Sequence, residues 1–210
     1  MNETKNIIFD LGGVIINLDM NRTRDAFVAL GIKDFDSIYT QAQQNNLFDN
    51  FDKGNISAAD FRNELRKHIP SPVSDEQIDA AWDAMLLDVP AAKLELLNQL
   101  KGRYRLFLLS NTNEIHVKNF SAALEQHYGF SDFSPFFEKW YYSCNIGMRK
   151  PDAEIFQHVL DENNLRAEET VFIDDSIQHI HGAEACGIKT LFLEPPKTLH
   201  ELLEEAGVMC

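Results

Sequence analysis

Asp10 stands where an apolar run meets a glycine turn, in the segment Asn6 to Val14 that reads N-I-I-F-D-L-G-G-V. A carboxylate in that place is poorly explained by packing and well placed for chemistry. Ile7, Ile8 and Phe9 read as a strand covered on both faces. Gly12 and Gly13 allow a tight turn and a close approach of backbone to ligand, and open parallel sheets bind ligands beyond the carboxyl ends of their strands. Three more segments place polar residues just after an apolar run or just before a helix: Leu106 to Asn113 (L-F-L-L-S-N-T-N), Gly147 to Asp152 (G-M-R-K-P-D) and Val171 to Ser176 (V-F-I-D-D-S). The adjacent carboxylates Asp174 and Asp175 repel each other, a conflict that a bound cation resolves. Ser110 and Asn111 end a strand, and Thr112 or Asn113 can cap the helix that follows, so backbone N–H groups and the helix dipole form an anion cradle.

Taken in this order, the four segments resemble the motif set of the haloacid dehalogenase-like (HAD) hydrolase superfamily, over roughly residues 6–193. Within its helical-cap subfamily the chain is most similar to alpha-D-glucose-1-phosphate phosphatases, which share the glycine two places after the nucleophile, the S-N-T-N and G-M-R-K-P segments and the paired aspartates. The resemblance implies a magnesium-dependent phosphatase acting on a small phosphorylated metabolite, such as a hexose 1-phosphate. Asp10 would attack phosphorus to give an aspartyl phosphate, splitting hydrolysis into two steps. Magnesium prefers oxygen ligands, and the implied set is Asp10, the backbone carbonyl of Gly12, and the pair Asp174 and Asp175, with Asp175 the direct ligand and Asp174 behind it or bridged by water. Ser110 and Asn111 would bind the phosphate. Lys150 would bridge phosphate and Asp10, aimed by the fixed geometry of Pro151.

One departure stands out. Most phosphatases of the superfamily carry a second aspartate two residues after the nucleophile, as general acid and then general base, and here that position is Gly12. Losing such a group typically costs about a hundred- to ten-thousandfold in rate. If nothing replaces it, ordinary alkyl phosphates should turn over slowly, while a sugar 1-phosphate, with its more acidic leaving hydroxyl, needs less help. Asp19, His116 and His179 lie in segments that reach toward the site, and geometry must choose among them. His179 and His181, two apart on a helix, point to different faces and do not share a metal. Two other readings use the same residues differently: a protein that binds a phosphorylated ligand without turnover, and a metal-free 2-haloacid dehalogenase, which has no need of paired acidic ligands.

Composition sets the bounds. With 210 residues and 44% hydrophobic content the chain can bury a substantial core. A formal net charge of −14 argues against nucleic acid or anionic membranes as partners, and requires local positive charge if the substrate is a phosphate. The short polar start and the lack of any bilayer-length apolar run point to the cytoplasm. Cys144, Cys186 and Cys210 are odd in number and widely spaced, which fits neither a disulfide framework nor a zinc site, and Cys186 reads as a small hydrophobe. Monomer and homodimer both stay open.

The positioning elements follow from the pattern. Ile7 to Phe9, Leu106 to Leu109, Val171 to Ile173 and Thr190 to Leu193 read as parallel strands, separated by helices at Pro90 to Leu100 and Asp152 to Asn163. Asp88 and Pro90 serve as start signals for the first of these helices. The fold class is therefore α/β, a doubly wound parallel sheet, and the resemblance implies an inserted helical cap between the first and second motifs. Residues 1–16 and 91–210 form the core, and residues 17–90, with three or four helical patterns and no convincing strand, form the cap. Phe27, Leu30, Phe35, Tyr39, Phe48, Phe51, Phe61, Leu65 and Trp82 give the cap its own apolar bulk. Within it, Asp49 to Asp60 imitates a calcium loop but puts Phe51 and Lys53 at ligand positions, so Ser57 and Asp60 read instead as a helix start. Phe133, Phe136, Phe137, Trp140 and Tyr141 form an aromatic group best read as core.

Overall fold

The four apolar runs become strands and a fifth joins them, in a computed structural model that describes residues 3–36, 39 and 46–209. The strands are β1 (Asn6–Phe9), β2 (Arg105–Ser110), β3 (Lys139–Tyr142), β4 (Thr170–Asp174) and β5 (Lys189–Phe192). All pair in parallel in the order β3-β2-β1-β4-β5, so the strand that delivers Asp10 is the central one. Two details differ from the sequence pattern. β3 lies in the aromatic segment, where Lys139 and half-buried Trp140 hide the apolar run of a covered strand. β5 starts and ends one residue earlier than expected, with Leu193 already beyond it and donating its N–H to the Asp174 carbonyl at 3.0 Å.

Alternation along each strand divides the core. Ile7, Phe9, Leu106, Leu108, Val171 and Ile173 face one side, and Ile8, Phe107, Leu109 and Phe172 face the other. Helices α5 (Ala91–Leu100), α6 (Glu114–Tyr128) and α10 (Leu199–Glu205) cover the first face. Helices α8 (Ala153–Glu162) and α9 (Ile177–Ala185) cover the second, through Ile155, Phe156, Val159, Leu160, Ile180 and Ala183. That is a doubly wound sheet. Asp88 plays a different part from the one expected at the start of α5: its carboxylate accepts from Asn17 Nδ2 at 3.0 Å, and Pro90 stands at the N-cap position. Phe133, Phe136, Phe137 and Tyr141 are buried within the chain, whereas Cys144 and Cys186 are half-buried free thiols. Cys210 lies outside the described residues.

Between β1 and α5 the chain builds α1 (Met20–Ala29), α2 (Leu47–Asp52), α3 (Ala58–Arg66) and α4 (Asp75–Asp83). Phe27, Phe51, Phe61, Leu65, Ile78 and Trp82 form a separate apolar cluster there, completed by Ile115 from α6. Ser57 and Asp60 make a reciprocal capping box at the start of α3. The two connections to this helical segment run side by side. Leu18 bridges Leu86, Asn17 accepts from Leu87 N–H at 2.9 Å, and Asp19 donates to the Met85 carbonyl at 2.9 Å. The short helix α7 (Ser143–Ile146) follows β3. Among the described residues, no helix is long and apolar enough to cross a membrane.

Candidate active site

Because β1 and β4 are adjacent and in register, their tips bring three carboxylates to one edge of the sheet. Asp10 follows Phe9 and is fixed by its own N–H, which donates to the Ile173 carbonyl at 2.9 Å. Asp174 ends β4 and Asp175 follows it. One oxygen from each of the three lies within 4.8 Å of the others. The turn after Asp10 depends on Gly13, whose φ of 75° is the left-handed region. A Cβ there would also overlap the Asp175 carboxylate, so this glycine makes room for one of the three.

Lys150 closes the cluster. Its side chain is fully buried, and its Nζ donates to Asp10 Oδ1 and to Asp174 Oδ2, each at 2.7 Å. Asn111 aims it: the Asn111 amide accepts from Lys150 N–H through Oδ1 and donates to the Lys150 carbonyl through Nδ2, both at 2.9 Å. The asparagine expected to meet the phosphate therefore holds the backbone of the lysine. Asp174 is further held by Ser176 N–H at 2.7 Å and by His179 Nδ1, 3.0 Å from both of its oxygens. Ser110 is buried beside Asp10's strand, with its hydroxyl 3.5 Å from the Asn111 carbonyl. Asn113 rather than Thr112 caps α6, accepting from His116 N–H. Ser143 brackets Thr112, accepting from its N–H at 2.9 Å and donating to its carbonyl at 3.0 Å.

Burial and like charge pull these groups apart. Burial pushes Asp10 up to about 7 against the lowering pull of Lys150, with Asp174 and Asp175 adding to the rise. Burial also acts on Asp174, but Lys150 and the His179 contact outweigh it and hold this carboxyl below its ordinary value. Lys150 loses solvation and gains two carboxylate partners, which keep it above the usual lysine range. Asp175 is raised by burial and by Asp174. Three carboxylates thus face one ammonium, and the excess negative charge is what a small hard cation would neutralise. The donors are all oxygen, the chemistry that magnesium selects.

Above the strand tips lies a cavity of about 240 Å³ between the sheet and the helical segment. Gly12, Ser110, Asn111, Thr112, Asn113 and His116 line it from the core, and Tyr39, Phe48, Asp49, Asp52, Trp82 and Met85 from the helical segment. Arg149, next to Lys150, also lines it and pairs with Asp49 at 2.8 Å. Asp52 accepts from Asn113 Nδ2 at 3.2 Å, and Asp83 meets His116 Nδ1 at 2.7 Å.

Of the three residues that could stand in for an acid at Gly12, two are placed elsewhere. Asp19 accepts from Asn21 N–H at the start of α1, and His179 is committed to Asp174. His116 remains, facing the cavity. His181 is exposed. The roles of Asp52, Asp83 and Arg149 left no mark in the sequence, since each depends on the helical segment folding back over the sheet.

The model of a family described as "haloacid dehalogenase-like hydrolase" matches residues 4–187. A D-ribitol-5-phosphate phosphatase of Bacteroides thetaiotaomicron is 31% identical over 186 residues, covering 89% of this chain and 90% of the relative. Sesquiterpene phosphatase astK of Aspergillus oryzae is 31% identical over 190 residues, covering 90% of this chain and 89% of its own. A crystal structure of a HAD family enzyme from B. thetaiotaomicron, in complex with magnesium and inorganic phosphate, superposes with a TM-score of 0.87 at 38% identity, covering 95% of this chain and 98% of that one. The two named relatives carry ribitol-phosphate and sesquiterpene names, so the glucose-1-phosphate likeness read from the motifs is narrower than these relatives support.

Proposed function

The chain belongs to the haloacid dehalogenase-like hydrolase family, and on that premise we propose that it is a magnesium-dependent phosphatase acting on a small sugar or sugar-alcohol phosphate, such as a hexose 1-phosphate, through an aspartyl phosphate on Asp10. The observation that carries this reading is Lys150, buried between Asp10 and Asp174 at 2.7 Å from each, with Asp175 alongside. Asp10 is the nucleophile, held in line by its backbone bond to β4. Lys150 neutralises Asp10 and the approaching phosphate, and Ser110 with the N-terminal end of α6 receives the equatorial oxygens. Asp10, the Gly12 carbonyl, Asp175 and, through water, Asp174 would hold magnesium. When bound, that ion supplies positive charge to the transferring phosphoryl group.

Residues 17–90 form the cap in this reading, and residues 1–16 and 91–210 the catalytic core. The cap wall supports a polyhydroxylated substrate, because Asp49 and Asp52 accept from hydroxyls while Phe48 and Trp82, stacked at 5.3 Å, offer an apolar face. The half-buried free thiols of Cys144 and Cys186 accord with a reducing, cytoplasmic setting.

The test is phosphate release from a panel of ribitol 5-phosphate, hexose 1-phosphates, hexose 6-phosphates and glycerol phosphate, with magnesium and with chelator, for the wild type and Asp10→Asn. Turnover that requires both magnesium and Asp10 supports the proposal. Absence of turnover on every ester, from folded protein that binds magnesium, would overturn it.

A further inference from the structure

A phosphate ester of an aliphatic alcohol cannot expel its alkoxide readily at neutral pH, and the water that clears an aspartyl phosphate must lose a proton. Among the described strand-tip residues each already has other work in the phosphatase reading, with Asp174 and Asp175 assigned to the metal. Lys150 is locked between two carboxylates, Asp10 is the attacking atom, and Gly12 has no side chain. We propose that His116, backed by Asp83, is the proton donor and acceptor of this phosphatase. The inference rests on the phosphatase reading above.

His116 belongs to the first turn of α6, six residues beyond Ser110, so the helix that helps form the phosphate cradle also carries the imidazole. It is 8% exposed and lines the same cavity as Gly12, Ser110 and Asn111. Its ring stacks on Trp82 with centroids 5.2 Å apart and planes 9° apart. Asp83 Oδ1, 2.7 Å from Nδ1, can only accept when ionised, so Nδ1 carries hydrogen and Nε2 is left to exchange the working proton. A carboxylate behind an imidazole fixes ring and tautomer and stabilises the cationic form. The pair joins core to cap, since Asp83 ends α4 and His116 sits on α6. The imidazole is therefore held in place when the cap lies over the sheet.

The steps balance. As the Asp10–phosphorus bond forms and the phosphorus–oxygen bond to the alcohol breaks, Nε2–H passes its proton to the leaving oxygen. The neutral Nε2 then takes a proton from water as that water attacks phosphorus, which frees the Asp10 carboxylate and releases phosphate.

The experiment compares wild type and His116→Gln on p-nitrophenyl phosphate, whose phenolate leaves without a proton, and on ribitol 5-phosphate, whose alkoxide does not. Rapid-mixing kinetics with magnesium should show that His116→Gln keeps a full burst of nitrophenolate, one per active site, at close to the wild-type rate. Steady turnover after the burst, and both phases on ribitol 5-phosphate, should fall by about a hundred- to ten-thousandfold. Equal loss of the burst and of alkyl ester turnover would make His116 a latch between cap and core and overturn the proposal, as would wild-type rates on both esters. Lack of turnover by the wild type would instead sink the phosphatase reading.

Asp83→Asn gives a second route that leaves the imidazole in place. If Asp83 positions the imidazole, the kcat–pH profile on ribitol 5-phosphate shifts while the nitrophenolate burst does not. Asp52 and Asp49 of α2 and Arg149 face the same cavity, and all three are unaltered in that variant. An unshifted profile would count against the proposal.

Discussion

Lys150 and Arg149 are neighbours in sequence and opposites in setting. Lys150 is wholly buried between Asp10 and Asp174, clasped through its backbone by Asn111, whereas Arg149 keeps a fifth of its side chain exposed and reaches Asp49 across the seam to the cap. The strand tips hold charge by desolvation and backbone anchoring, whereas the Arg149–Asp49 pair lies where water can reach it. A buried ammonium with two partners has one arrangement, while a half-exposed pair can open and re-form.

That contrast can be broken at four places. Asp10→Asn should have the largest effect, lowering kcat on the preferred ester by about 10⁴-fold or more, as loss of a nucleophile does elsewhere, with folding unchanged by circular dichroism. Lys150→Met leaves two buried carboxylates uncompensated and should destabilise the protein by about 3–5 kcal/mol in urea unfolding with chelator present. Saturating magnesium should restore part of that loss, and a variant as stable as wild type without metal would show that water reaches the strand tips. Arg149→Gln removes one half-exposed pair, worth about 0.2–1 kcal/mol, and should raise KM with little change in kcat. An effect as large as that of Lys150→Met would erase the distinction.

The smallest effect concerns Asp52, which burial raises above the ordinary carboxylate value despite the hydrogen bond from Asn113. A carboxyl raised on folding contributes fully below its unfolded pKa, and that contribution is lost as pH climbs through the folded value. Asp52→Asn should therefore raise Tm near pH 7 and leave it almost unchanged near pH 3, as read by calorimetry at both pH values.

Sequence legibility follows the same division. β1, β2 and β4 were readable because a strand covered on both faces must be apolar throughout, and their tips therefore announced Asp10, Ser110, Asp174 and Asp175. β3 was not, because an edge strand tolerates Lys139 and a half-buried Trp140. Lys150 stood out by its place between motifs. His179 stood out only as one of three candidates for the acid missing at Gly12, and its contact with Asp174, five residues away across a strand-to-helix turn, is geometry that a sequence does not display. Asp49 looked like the start of an imitation calcium loop, and Asp52 and Asp83 like ordinary acidic residues on helices. Their partners Arg149, Asn113 and His116 lie roughly a hundred, sixty and thirty residues farther along the chain, and only folding of the cap brings them together.

The amide of Asp10 has a consequence of its own. Its hydrogen lies at the end of the central strand, bonded to Ile173 of the neighbouring one, where exchange with deuterium would require the sheet itself to come apart. Protons on the two ribbons at 17–19 and 85–88, paired with each other at the root of the cap, need much less. A deuterium time course should label these two ribbons long before it reaches the Asp10 amide, so the backbone that carries this carboxylate stays still while the connections to the helical segment breathe.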